Sequence, residues 1–233
     1  MDTTMNLTQK NWSKVVAEMN DVIDEIYGKR NKRLYLEKVN RSREFPLPKS
    51  VEDFCRANRI LFTFHRIPPK LTSNDWSWKF DLPKYKDGAF KSEYSTTLCV
   101  SKLCKVFCLF NRFEMTDVNP DAMYPVVEGE GHAGGPATNL QDKLCCLLID
   151  WLESQGYVLL RDWVYNQVVV GLENLEEKEF HKEYPQDAPP EAYYCAYYDV
   201  FFHLDYDDVG VLDYYYAKRA ATSPPTDSAA ALS

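Results

Sequence analysis

The clearest periodicity in the chain lies over residues 138–164, TNLQDKLCCLLIDWLESQGYVLLRDWV. Leu140, Leu144, Leu147, Leu148, Trp151 and Leu152 recur at helical spacing, while Asp142, Lys143, Asp150 and Glu153 fall off that stripe. Thr138 and Gln141 have the spacing of a capping box, and Gly156 suits the left-handed position that closes a helix. The pattern predicts a helix over 140–155 that docks on a sheet. Residues 157–164 then read as an interior strand, because Val158, Leu159 and Leu160 are too continuously apolar for an exposed edge.

A second stripe, Trp12, Val15, Val16, Met19, Ile23, Ile26 and Tyr27, predicts an amphipathic helix over 8–27 with Thr8 as its cap. Ser50 and Asp53 begin a short helix in the fifties. Strands are predicted over 60–66, 96–100 and 105–114, the last two as a hairpin around Ser101 and Lys102. Trp76, Trp78 and Phe80 alternate, so on a strand they share one face, which reads as a wall of the core, with an exposed aromatic binding strip as the alternative. Further β-prone runs lie at 166–172, 193–204 and 211–216, with a charged helical turn or two over 174–184. Periodicity lapses over 115–137, where Asp, Asn, Pro and Gly dominate, which predicts a long loop of the kind that carries function. The sum is a single α+β domain over 1–216, with a largely antiparallel sheet and helices packed on it. Residues 217–233 hold nothing that builds a core and are expected to form a disordered tail.

Charge changes this picture. The net charge is −8, yet residues 173–213 hold twelve acids against Lys178 and Lys182 and carry −10, leaving +2 elsewhere. Such a field attracts basic partners and repels nucleic acid and anionic membrane. The basic stretch at 29–43, KRNKRLYLEKVNRSR, reads as a solvated helix end within this acidic chain. Seven cysteines, an odd number, and a start without the apolar run of a signal peptide predict reduced thiols in the cytoplasm. No run approaches the ~20 apolar residues of a membrane span, so no membrane partner is expected.

Candidate chemistry is sparse. The glycines of EGEGHAGGPATN have P-loop spacing at Gly129 and Gly134, but Gly135 and Pro136 stand where Lys and Ser or Thr belong. Glu128, Glu130 and His132 alternate and would converge on a metal if that stretch were extended. DYDDVG at 205–210 begins like an EF-hand loop, but Val209 and Tyr216 occupy ligand positions and the loop reads as a solvated acidic turn. Cys99, Cys104 and Cys108 lack zinc-ligand spacing, and Cys145-Cys146 sits on the central helix with one thiol inward. The four histidines are scattered, with His65 and His203 inside β-prone runs and structural roles expected for both.

A small, acidic αβ chain without catalytic motifs resembles the immunity proteins that neutralise bacterial toxins. That resemblance implies a cognate toxin as partner, bound through residues such as Asp199, Asp205, Tyr206, Asp207 and Asp208. The favoured reading is a non-catalytic module, without cofactor, that captures a basic protein through its acidic, tyrosine-rich surface. The alternative is a metal-dependent hydrolase with its site at 115–137 and Glu128, Glu130 and His132 as ligands.

Overall fold

The computed structural model describes residues 4–40, 46–64, 74–87, 90–117, 127–132, 136–183 and 193–212. In chain order the strands of its larger sheet are β1 (Leu61–Phe64), β2 (Asp75–Asp81), β3 (Tyr85–Asp87), β4 (Phe90–Ser101), β5 (Val106–Asp117), β6 (Val127–His132) and β7 (Val158–Leu159). Their spatial order is β1-β2-β4-β5-β6, with β3 on β4 and β7 on β5. Every pairing is antiparallel except that of β5 with β7. A smaller antiparallel sheet has the order β10 (Val209–Val211), β8 (Val168–Asn174), β9 (Tyr194–Ala196). The fold is α+β, as the sequence predicts.

The long β4–β5 hairpin divides two cores, because alternate side chains leave opposite faces of a strand. Its register sets Leu98 opposite Leu109, Cys99 opposite Cys108 and Val100 opposite Phe107. Leu98, Val100, Phe107 and Leu109 pack with Trp78 and Phe80 against α3 (Lys49–Ala57) and α4 (Asn139–Ser154). Leu144, Leu148 and Leu152 of α4 are fully buried there. Trp76 packs at the edge of the same core, so the aromatic alternation forms the wall that its spacing predicts.

Cys99, Val106 and Cys108 face a second core. It is closed by α1 (Thr4–Ile23), the π-helical turn Asp24–Gly28, α2 (Lys32–Val39), α5 (Asp162–Tyr165) and the smaller sheet. Met19, Ile23, Ile26 and Tyr27 are buried along the predicted stripe. The helix begins at Thr4, so Thr8 lies within it and does not cap it.

α4 starts as its sequence dictates. Thr138 Oγ1 accepts from Gln141 N at 3.1 Å, and Gln141 Oε1 accepts from Thr138 N at 3.2 Å. Gly156 follows the helix with φ +79°, the left-handed conformation that a Cβ opposes.

Three predicted elements come out differently. The interior strand expected over 157–164 is a two-residue strand, β7, that among the described residues pairs with β5 alone, followed by the helical turn α5. Leu160 and Val164 are buried, but by packing into the second core. The β-prone run over 193–204 keeps only β9, then turns helical through Asp199–His203. There Asp199 accepts a hydrogen bond from Ala196 N at 2.8 Å, and a compact helical turn buries Val200, Phe201 and Phe202 together. Tertiary burial overrides the local β preference. The long loop expected over 115–137 contains β6, and β5 itself runs on to Asp117. β6 is legible only through its partner, since VEGEGH has weak strand propensity and gains its order by pairing with β5. Residues 217–233 and His65 lie outside the described residues.

Candidate functional site

The acidic segment meets itself at one end of the smaller sheet. β8 runs out at Asn174, whose Oδ1 accepts from Glu176 N at 3.0 Å and Glu177 N at 3.2 Å. That cap starts α6 (Leu175–Glu183) with Glu176 and Glu177 in its first turn, where carboxylates complement the helix dipole. β10 pairs with β8 in a register that sets Val209 opposite Asn174. The residues before Val209 form the 3-10 turn Tyr206–Asp208, so this acidic turn adjoins the acidic start of α6. Two acid-rich stretches that lie apart in the chain thus form one surface.

Within that surface the expected partner-binding residues divide by their internal roles. Asp205 and Asp208 form a capping box, in which Asp208 Oδ2 accepts from Asp205 N at 3.1 Å. Tyr206 is half-buried, stacked on Tyr27 at 5.4 Å between ring centroids and tilted against Tyr35 at 5.3 Å. Asp207 is exposed, and its carboxylate accepts two bonds from Lys32 Nζ at 2.6 and 2.7 Å. The same ammonium lies 5.6 Å from the Tyr206 ring centroid. Asp199 holds the turn that follows β9 and lies 3.9 Å from His203 Nδ1. The Asp199 carboxylate beside His203 raises that imidazole above its ordinary range, against the opposing effect of burial. The charges of Glu176 and Asp75 act in the same upward direction.

Asp205, Tyr206, Asp207 and Asp208 are therefore contiguous, and Asp199 belongs to the neighbouring turn. Asp207 is the exposed member of the five. The exposed acids that accompany it, Glu176, Glu177 and Glu179 on α6, are not among the residues expected from sequence. Their signal is present as the acidic run EEKE, but its adjacency to DYDD depends on the β8–β10 register. Lys32 is a further addition. It reaches Asp207 across 175 residues, so the basic stretch at 29–43 serves in part as an internal counter-ion.

The alternative site has a partial geometry. β6 is extended, so Glu128, Glu130 and His132 occupy alternate positions opposite Glu114, Arg112 and Phe110 of β5. The side chains of these three lie outside the described residues. Among the described residues no group of three or more His, Cys, Asp or Glu is arranged to hold a metal ion. Of the two thiols on α4, Cys145 is buried and Cys146 exposed. Among the described residues no helix is long and apolar enough to cross a membrane.

No protein-family model, curated protein or solved structure matches this chain.

Proposed function

We propose that this protein is a non-catalytic binding module that captures a basic protein, and that it serves as an immunity protein against a cognate toxin. The observation that carries the reading is the β8–β10 register, which joins the acidic turn before Val209 to the acidic start of α6. Glu176, Glu177, Glu179 and Asp207 supply the exposed charge. The tyrosines and caps beneath them hold the turn in shape before a partner arrives, which lowers the ordering cost of association. Carboxylates on such a surface act chiefly on encounter, through a field that salt screens over ~8–10 Å.

The test is a quadruple variant, Glu176→Gln, Glu177→Gln, Glu179→Gln and Asp207→Asn, against the partner recovered from the native cell extract. Association is expected to slow by about tenfold or more at low salt and to lose much of its salt dependence, while dissociation changes less. The recovered partner is expected to be basic, and its toxicity to be suppressed by the wild-type chain. An acidic partner, or association untouched by the four substitutions at low salt, refutes the reading.

A metal-dependent hydrolase is the second reading. It is favoured by one observation, that 127–132 is a strand on which Glu128, Glu130 and His132 alternate. Metal analysis of the purified protein checks it, with stoichiometric zinc, iron or manganese as the expected result.

A further inference from the structure

Among the described residues, the second core covers one face of the larger sheet only near the β4–β5 turn. There Cys99, Leu103, Val106 and Cys108 are buried. Further along the same strands the inward pattern stops and the face becomes charged. Strand register draws a straight row across it, Leu61–Asp81–Ser95–Arg112–Glu130 over β1, β2, β4, β5 and β6. Direct partners in antiparallel strands share a face, so these positions line one side of the sheet. Over this part of the face lies a cavity of about 500 Å³, walled at one side by Leu82, Pro83 and Lys84. Its volume falls among those of small-molecule sites, about 300–1,000 Å³.

The charges of the cavity are unequal. Arg59, Lys79, Lys84 and Arg112 line it, against Asp81, Glu93 and Glu114. Each carboxylate already has a cation: Asp81 has Lys79 at 3.3 Å, Glu93 has Lys84 at 2.8 Å and also Lys91, and Glu114 has Arg112 at 3.7 Å. The lysines hold the Glu93 carboxyl below its ordinary range. Arg59 makes no ion pair or side-chain hydrogen bond among the described residues.

Arg59 is also an unexpected residue for its backbone. It follows Asn58, the C-cap of α3, and its φ is +56°. Glycine is the favoured residue one position past a helix cap, because the left-handed conformation crowds a Cβ. Folding alone selects glycine there; an arginine keeps a strained conformation and adds a guanidinium to the cavity. Strain of this kind is typical of functional positions.

We propose that this cavity binds a small ligand through an oxyanion group, a carboxylate or a phosphate, with Arg59 as the principal contact. The guanidinium fork matches either group in two-point geometry. Lys79 and Arg112, held in place by their own carboxylates, add positive potential along the floor. The carboxylates that face them limit the site to a compact anion and turn away extended polyanions. This site uses none of the residues of the acidic surface, so its failure and that of the partner reading are separate results.

The experiment is calorimetric titration of the full chain with inorganic phosphate and, separately, citrate, at constant ionic strength with chloride as the reference anion. Saturable binding of one of them is expected, and which one binds separates the phosphate source from the carboxylate source. Arg59→Gly is expected to weaken that binding by about tenfold or more, the loss of a charge-assisted contact. The same variant is expected to melt no lower than wild type, because it relieves the left-handed position. Arg59→Gln tests the guanidinium without glycine's freedom and is expected to show the same loss. Absence of saturable binding of both anions to the wild-type chain overturns the proposal, as does undiminished binding by both variants.

Discussion

Gln141→Glu is a conservative change by local rules, since Gln and Glu serve equally at the third residue of a capping box. Its tertiary position predicts otherwise. Gln141 is completely buried. Its Oε1 accepts from Ala137 N at 2.9 Å and Thr138 N at 3.2 Å, and Glu can keep both bonds. Its Nε2 donates to Ser95 O at 3.1 Å and Arg112 O at 3.4 Å, fastening α4 to the β4–β5 hairpin. A carboxylate sets an acceptor against those two carbonyls and buries its charge. Leaving buried groups unpaired costs about 1–3 kcal/mol each, more for a charged one. The helix dipole returns about 0.3–1 kcal/mol. The expected net loss at neutral pH is about 3–5 kcal/mol.

The sign of the pH dependence follows. In the Gln141→Glu variant the introduced carboxyl, once protonated, donates to Ser95 O, so the folded state raises its pKa above the unfolded value of about 4.3. Between those two values the folded variant binds more protons than the unfolded one. The variant is therefore closest to wild type below about pH 4 and loses stability as pH rises, by at most ~1.4 kcal/mol per unit. Denaturant titrations of wild type and variant across this range, read as midpoints at equal slope, measure the gap. A variant as stable as wild type at neutral pH, or a deficit that does not shrink on acidification, refutes the account of Gln141 as a strand-fastening donor.

Leu148→Ala removes a completely buried side chain between α4 and the larger sheet. It is expected to cost about 2–5 kcal/mol, read as a lowered denaturation midpoint, and an unchanged midpoint contradicts this packing. Thiol labelling of the native protein at mildly alkaline pH is expected to modify Cys146 promptly, the exposed cysteine, with all seven reacting once the chain is unfolded. Burial pushes the Cys55 and Cys145 thiols up to about 11 and that of Cys104 up to about 12, which keeps them protonated and slow. A second thiol that reacts at the rate of Cys146 contradicts that assignment.

Elements whose information is local were legible from the residues alone. The stripe and capping box of α4, the apolar stripe of α1 and the alternation of Trp76, Trp78 and Phe80 each follow from neighbours a few residues apart. They also settle the α+β class. The acids at 199–208 were legible as a charge cluster, but their division into caps and one exposed carboxylate was not. Tertiary structure decided everything that depends on two distant segments. YYDVFFH prefers a strand, yet it turns helical to bury Val200, Phe201 and Phe202 in a core assembled from other elements. VEGEGH has weak strand propensity, yet it pairs because β5 offers it an edge. The β8–β10 register places DYDD beside EEKE, the β1–β2 register sets Asp81 beside the strand that follows Arg59, and Lys32 finds Asp207 far along the chain. Periodicity reports which face of an element is apolar. Which elements meet, and in what register, is set by interaction energies between segments that the chain order keeps apart.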